Sequence, residues 1–248
     1  MQYITSNQNN LVKLVSSYKD GKEGFALVEG TKIIKEVAKY GTYCNMLFAE
    51  EQVYNELKDY IDPKCEVYIV TPNILEKLSY TKTNQGVVGV VKCDKKLLKA
   101  PSGNFLVLDN LQDPGNFGTI CRSSLGADFR DIYVINCPNY LSSKMVRSSM
   151  GTVFGLNIYE TNYDELAKLI VDNDLTLLVA DLDGENIFDY NPPEKFGIAI
   201  GNEGNGISKE LLSIPNKKIT IPMKNNLESL NAGVSSAICM YCLSNKRR

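Results

Sequence analysis

The chain has 248 residues, of which 44% are hydrophobic and 23% charged, and its net charge is −2 at neutral pH; this suits one large or two modest globular domains and gives no global electrostatic case for a polyanionic partner. No apolar run nears the roughly 20 residues needed to cross a bilayer, so no membrane partner is expected. Histidine is absent, which removes Ser-His-Asp and Cys-His catalysis and histidine-ligated metal, leaving carboxylates, Lys, Arg, Tyr, Cys, backbone groups or a reactive cosubstrate to carry any chemistry.

Taken in chain order, "GFALVEG" (24–30) reads as a strand and "TKIIKEVAKYG" (31–41) as a helix ended by glycine. "YCNMLFA" (43–49) is a strand, "EEQVYNELKDY" (50–60) a helix and "EVYIV" (66–70) a strand. "TPNILEKLS" opens a helix with Thr71 as cap and Pro72 at the first helical position. "GVVGVV" (86–91) closes an α/β domain over 1–92. The polar, lysine-rich stretch 93–104 is broken by Pro and Gly and reads as a linker. A second domain, 105–248, restarts the alternation. Its first strand, "FLVLDN" (105–110), is a nearly continuous apolar run, as in a parallel sheet covered on both faces. A helix (116–127), a strand (131–135), a helix (141–151), a short strand (156–160) and a helix (162–173) follow. Then come a strand and loop (175–184), a strand (196–201), a short helix (207–213), a strand (217–223) and a closing helix (227–246). The fold class is therefore α/β with a mainly parallel sheet in the second domain. All five arginines lie beyond residue 100, while the first hundred residues carry a small lysine excess, compatible with phosphate contact or with a solvated face.

Three loops of the second domain follow a strand and open a helix: "LDNLQDPGNFGTICR" (108–122), "IAIGNEGNGIS" (198–208) and "ITIPMKNNLESLNAGVSSA" (219–237). Ligands of open α/β sheets bind beyond the carboxyl ends of strands, so one crevice could hold all three. The glycine order is G-x-x-G-x-G, not G-x-G-x-x-G, and no early βαβ unit surrounds it, which disfavours a nicotinamide-dependent oxidoreductase.

In order and wording these segments resemble the three motifs of the SpoU (TrmH-like) class of SPOUT RNA methyltransferases. "VEGTKIIKEVAKYG" and "TNQGVVGVV" in the first domain resemble, more loosely, a ribosomal-protein-like RNA-binding domain. The resemblance implies a small N-terminal RNA-binding domain and a C-terminal SPOUT domain with a deep trefoil knot. It also implies S-adenosyl-L-methionine as cofactor and a homodimer with its active site at the subunit interface. The expected activity is methyl transfer to a ribose 2′-hydroxyl of structured RNA. Ribosomal RNA (23S) is favoured and tRNA comes second.

By the same resemblance, Gly201, Ile221 and Leu230 hold the cofactor through main chain, with Ala180 at the mouth of the crevice. Each also suits a plainer role: a turn glycine, or core side chains. Arg122 matches the family's active-site arginine, Asn116 and Glu203 are assigned to catalysis beside it, and Ser229 and Asn231 support RNA or neighbouring loops. A guanidinium stays protonated and is a poor base, but it clamps phosphate and stabilises an oxyanion well; whether Arg122 takes the hydroxyl proton or orients the phosphate stays open. Otherwise it pairs with Asp128 or Asp109 on a surface helix. Glu203 could orient Arg122 or Asn116, offset a sulfonium, or neutralise a helix end; Ser229 could simply cap the last helix. The family continues Val-Ser-Val-Ala after the asparagine where this chain has Ala232-Gly233-Val234-Ser235, so Ser235 is not carried over.

Cys239 and Cys242 form C-x-x-C late in an apolar helix with no further ligand set, which favours packing over zinc or redox chemistry, and no metal is expected. The N-terminus "MQYITSNQNNLVKL" lacks a basic region followed by an apolar core, and the seven cysteines are scattered, so a reduced, cytoplasmic setting is expected. "NKRR" at the C-terminus is a short basic tail, able to touch RNA or simply solvated. A non-catalytic RNA-binding or ribosome-assembly factor on the same scaffold is disfavoured by the joint presence of Asn116, Arg122, Glu203 and Asn231.

Overall fold

The computed structural model describes residues 1–81, 83–225, 227 and 229–245, so the basic tail beyond Asn245 lies outside the described residues. In chain order the elements are β1 (Gln2–Ile4), α1 (Asn10–Ser16), β2 (Phe25–Glu29), α2 (Thr31–Lys39), β3 (Met46–Ala49), α3 (Glu51–Leu57), β4 (Glu66–Val70), α4 (Pro72–Leu78) and β5 (Val87–Lys92). They continue with β6 (Phe105–Asp109), α5 (Pro114–Gly126), β7 (Asp131–Ile135), α6 (Ser143–Ser148), β8 (Asn157–Glu160) and α7 (Tyr163–Asp172). The last are β9 (Thr176–Asn186), β10 (Phe196–Ile200), α8 (Lys209–Leu212), β11 (Lys217–Thr220) and α9 (Ala232–Asn245). No helix among the described residues is long and apolar enough to cross a membrane.

Two compact units form: Met1–Lys95 with Asn139–Gly155, and Lys96–Pro138 with Leu156 onward. In the first, a mixed sheet has the order β1-β4-β3-β5-β2, with β5 antiparallel to both neighbours. Its core joins Val12 and Val15 of α1, Ile74, Leu75 and Leu78 of α4, and Phe48, Val88 and Val90 from the sheet. The sequence pattern assigns no element before residue 24; β1 has only three residues, and α1 starts where Asn9 Oδ1 accepts from Leu11 N at 2.8 Å. Helix α6, placed by chain position in the second domain, instead packs on β2 of the first unit and buries Met145 and Val146 there. Its local pattern only required an apolar partner and could not name which sheet supplied it.

The second unit is a six-stranded sheet in the order β11-β9-β10-β6-β7-β8, parallel at every pairing. The apolar runs in β6, β7 and β10 are buried along their whole length, as strands covered on both faces must be. On one face Phe105, Val107, Tyr133, Val179 and Ala199 pack with Leu166 and Ile170 of α7 and Leu211 of α8. Gly197 opposes Phe105 across the β6–β10 pair, and a Cβ there would lie 2.2 Å from the Phe105 ring, so the ring occupies the space glycine leaves. Elsewhere α5 and α9 pack on one another and α9 packs on β10.

Element ends differ from the sequence pattern for local reasons. Helix α5 begins two residues early because Asp113 caps it, Oδ2 accepting from Asn116 N at 3.0 Å, with Pro114 at the first helical position. Helix α9 begins five residues late, at Ala232, because Asn231 Oδ1 accepts from Gly233 N at 2.9 Å and Val234 N at 3.3 Å.

Candidate active site

Strands β6 and β10 are neighbours, yet β6 leads into α5 and β10 into α8, which belongs to the α7 side of the sheet. Such a reversal opens a crevice at the strand ends. The loops leaving β6 and β10 meet there, and the segment before α9 joins them.

A directed chain of hydrogen bonds ties the three together. Glu203 Oε1 accepts from Asn116 Nδ2 at 3.0 Å and from Asp113 N at 3.2 Å, while Oε2 accepts from Gln112 N at 3.2 Å. Asn116 Oδ1 in turn accepts from Asn231 Nδ2 at 2.8 Å, and Asn231 Oδ1 caps α9. A carboxylate can only accept, so it turns the Asn116 amide nitrogen toward itself. That leaves the Asn116 oxygen for Asn231, whose oxygen then faces the first amides of α9. The acid in the glycine loop therefore sets the polarity of the whole relay.

Burial works against the Glu203 charge, but the Asn116 amide and the main-chain donors around it outweigh burial and hold its carboxyl below the usual range. Glu203 is thus ionised at neutral pH and a weak base. Of the partners the sequence allowed it, Asn116 is realised and Arg122 is not.

Arg122, on α5, is exposed and makes no ion pair or hydrogen bond among the described residues. Its alternative partners are taken: Asp128 pairs with Arg130 at 2.7 Å, and Asp109 is buried with other donors. Ser229 is exposed and is not the cap of α9; Asn231 takes that place.

The loop after β10 folds on itself, with Asn202 and Gly206 exchanging both main-chain hydrogen bonds at 2.9 and 3.0 Å. A Cβ on Gly201 would sit 2.3 Å from the Gly206 carbonyl, so glycine is required there by the loop's own closure. Ile221 and Leu230 are half-exposed, outside helix and strand, and their main-chain groups form no hydrogen bond among the described residues. Unpaired amides and carbonyls beyond a strand end can take the edge of a purine and the polar end of an amino acid. Ala180 opens an excursion in β9: pairing with β11 jumps from Val179–Lys218 to Glu185–Ile219, and Lys218 meets Asp181 at 2.7 Å at its base.

Two acids important to the geometry are not among the site residues the sequence pattern singles out. Asp109 is fully buried; Oδ1 accepts from Tyr163 Oη at 2.8 Å and Asn110 Nδ2 at 2.7 Å, and Oδ2 from Ser208 N at 2.7 Å. Its signal was a charge ending the apolar run "FLVLD". Asp113, the α5 cap, was signalled by Asp-Pro before a helix. Cys239 is buried, which pushes its thiol up to about 12 and leaves it inert. No group of three His, Cys, Asp or Glu side chains among the described residues could hold a metal ion.

Residues 9–89 match the MRM3-like substrate binding domain, and residues 103–241 match the SpoU rRNA Methylase family. The chain is 24% identical over 250 residues to the Bacillus subtilis 23S rRNA (guanosine(2553)-2'-O)-methyltransferase RlmP, covering 98% of this chain and 99% of that one. It is 30% identical over 148 residues to the Streptomyces laurentii 23S rRNA (adenosine(1067)-2'-O)-methyltransferase, covering 58% and 55%. The fold is shared with the SpoU methyltransferase AviRb of Streptomyces viridochromogenes, solved with AdoMet, at a TM-score of 0.86 and 23% identity over 97% and 98% of the two chains. With the family match spanning more than half its length and all three motif loops joined at one crevice, the chain belongs to the SpoU rRNA methylase family.

Proposed function

We propose that this protein methylates a ribose 2′-hydroxyl of 23S ribosomal RNA, working as a cytoplasmic homodimer. Family membership and the relatives make it an S-adenosylmethionine-dependent RNA 2′-O-methyltransferase; the choice of 23S RNA over tRNA is the further step. That step is supported by two relatives named as 23S rRNA enzymes. The observation that carries the catalytic assignment is the Glu203–Asn116–Asn231 relay, which fixes three loops around one crevice.

In this reading, the unpaired main-chain groups of Ile221 and Leu230 and the loop closed at Gly201 hold S-adenosylmethionine, with Ala180 at the edge; the implied trefoil knot belongs to the same assignment. The cofactor supplies a methyl already activated by its sulfonium. The relay keeps the loops rigid so that alignment, more than acid–base chemistry, lowers the barrier. Arg122, exposed and without a partner among the described residues, is free to clamp an RNA phosphate or to stabilise the oxygen as its proton passes to solvent water. Glu203 does not compete for that proton at neutral pH, because its charge is already committed to its donors. Ser229 is available to the RNA. The domain over 1–92, with lysines as its cations, serves affinity and target choice.

Purified protein with radiolabelled S-adenosylmethionine is offered separated 23S rRNA, 16S rRNA and tRNA from cells lacking the gene. Label entering 23S rRNA is the expected result. Label in tRNA would move the substrate to the second class, and label in none would refute the reading.

A further inference from the structure

Beside the relay lies an open pocket of about 330 Å³, lined by Asn110, Gln112, Asn202, Asn205, Gly206 and Ser208. That volume is in the range of small-ligand clefts. Its lining contains amides, a hydroxyl and main chain, and no charged side chain, which suits a neutral aromatic heterocycle better than a phosphate. The pocket shares its walls with the proposed active site: Gln112 gives its main-chain N–H to Glu203, and Asn202 and Asn205 flank Glu203 in the β10–α8 loop. A base is bonded to the same ribose as the 2′-hydroxyl, so it must sit next to the reacting group. We infer that this pocket receives the base of the nucleotide being methylated, and that it is built for guanine. The inference rests on the RNA methyltransferase reading above.

The preference follows from which atoms the protein has already used. Asp109, buried and able only to accept, binds the Asn110 amide nitrogen at 2.7 Å, and Tyr163 Oη lies 2.9 Å from that nitrogen. Asn110 Oδ1 is left as an acceptor. The Asn110 carbonyl, also only an acceptor, binds Gln112 Nε2 at 3.2 Å and leaves Gln112 Oε1 as a second acceptor. Asn202 is spent within the wall: Nδ2 donates to the Asn110 carbonyl at 2.8 Å and Oδ1 accepts from Gly204 N and Asn205 N. The exposed Asn205 side chain makes no hydrogen bond among the described residues and keeps both its donor and its acceptor. Two oriented acceptors, the second N–H of Gln112 and one adaptable amide call for two adjacent N–H donors beside a carbonyl. Guanine carries that set on its Watson–Crick edge, as N1–H, the exocyclic amine and O6. Adenine, cytosine and uracil each offer an acceptor where one of those donors stands. RNA enzymes that act on splayed-out nucleotides read this edge.

The test compares the wild type with the Gln112→Ala/Asn205→Ala double variant. Both changes remove side chains while keeping the main-chain bonds to Glu203 and Asn202. Guanosine, inosine and adenosine are first titrated by saturation-transfer NMR with S-adenosylhomocysteine present. Guanosine should bind best to the wild type, inosine should lose about tenfold for the one hydrogen bond of the missing amine, and the double variant should lose the discrimination. Labelled methyl is then transferred to a 23S transcript and the acceptor mapped. A guanosine acceptor is expected, with kcat/KM at least about tenfold lower in the variant and unchanged melting temperature and S-adenosylmethionine affinity. A target other than guanosine, or full activity and discrimination in the variant, would overturn the subsite. So would a fall in cofactor affinity, which would give the pocket to the cofactor. Selective guanosine binding without transfer to any RNA would instead leave the subsite standing and sink the methyltransferase reading.

Discussion

The substitution Asn231→Asp keeps the shape of the relay and reverses its demand. The new side chain still caps α9, since the oxygen facing Gly233 N and Val234 N is retained. What is lost is the donor to Asn116 Oδ1, at 2.8 Å. Asn116 is buried and would then stand between two carboxylates. It has one amide nitrogen side to give, so one of its ends goes unsatisfied, at a cost of about 1–3 kcal/mol. A carboxylate at the first turn of α9 returns about 0.3–1 kcal/mol through the helix dipole. The net loss is then about 1–2 kcal/mol, or about 2–8 °C in melting temperature for a protein of this size. Adding Glu203→Gln makes the opposite polarity possible. The introduced glutamine amide donates to Asn116 Oδ1, and the Asn116 amide nitrogen turns to the introduced carboxylate before α9. In thermal melts and methyl-transfer assays the double variant should therefore lose less than the sum of the two single variants, by about 1 kcal/mol. Strict additivity, or an Asn231→Asp variant as stable and as active as the wild type, would refute the directed relay.

Arg122→Ala should leave the melting temperature within about 1–2 °C, because an exposed side chain without a partner contributes little, while turnover falls at least about tenfold and calorimetric S-adenosylmethionine affinity holds; retained turnover removes its catalytic assignment. Gly201→Ala should abolish cofactor binding, because the loop cannot close with a Cβ 2.3 Å from the Gly206 carbonyl; binding near wild-type strength would show that this closure is dispensable. The Glu203 carboxyl titrates below its unfolded value. The stability it adds over Glu203→Gln is therefore fully present above about pH 4.3 and disappears as pH falls through the lower folded value; a gap that widens toward acid would reverse the assignment. A truncation beginning near Pro101 should give little folded protein, because Met145 and Val146 of α6 lose the β2 surface that buries them; a second deletion that also replaces 139–155 with a short linker should recover it, and a well-folded single truncation would contradict the packing.

The buried sheet was legible because its strands are marked by composition: "FLVLD" and "FGIAI" are apolar throughout, which only a doubly covered parallel strand tolerates. Their adjacency was not, since Phe105 and Gly197 are paired across about ninety residues of chain and no local pattern records that. The motif residues were visible, but their partners were not. Glu203 had several chemically sound partners, and the choice of Asn116 depends on how the Asp113–Pro114 turn presents its amides. Ser229 and Asn231 are both good caps; Asn231 takes the helix because its other end is held by Asn116, a contact set by tertiary structure. Helix α6 was legible, but chain position put it in the second domain while it packs on β2 of the first unit, since amphipathicity names a buried face and not what buries it.

The most direct test of the account is the chemical position of the transferred methyl. Labelled 23S rRNA from the transfer reaction is digested to nucleosides and resolved by chromatography and mass spectrometry. The account predicts that the label elutes as a 2′-O-methylnucleoside, with S-adenosylhomocysteine formed in equal amount. Label on a base, or binding of S-adenosylmethionine with no transfer to RNA, would contradict it.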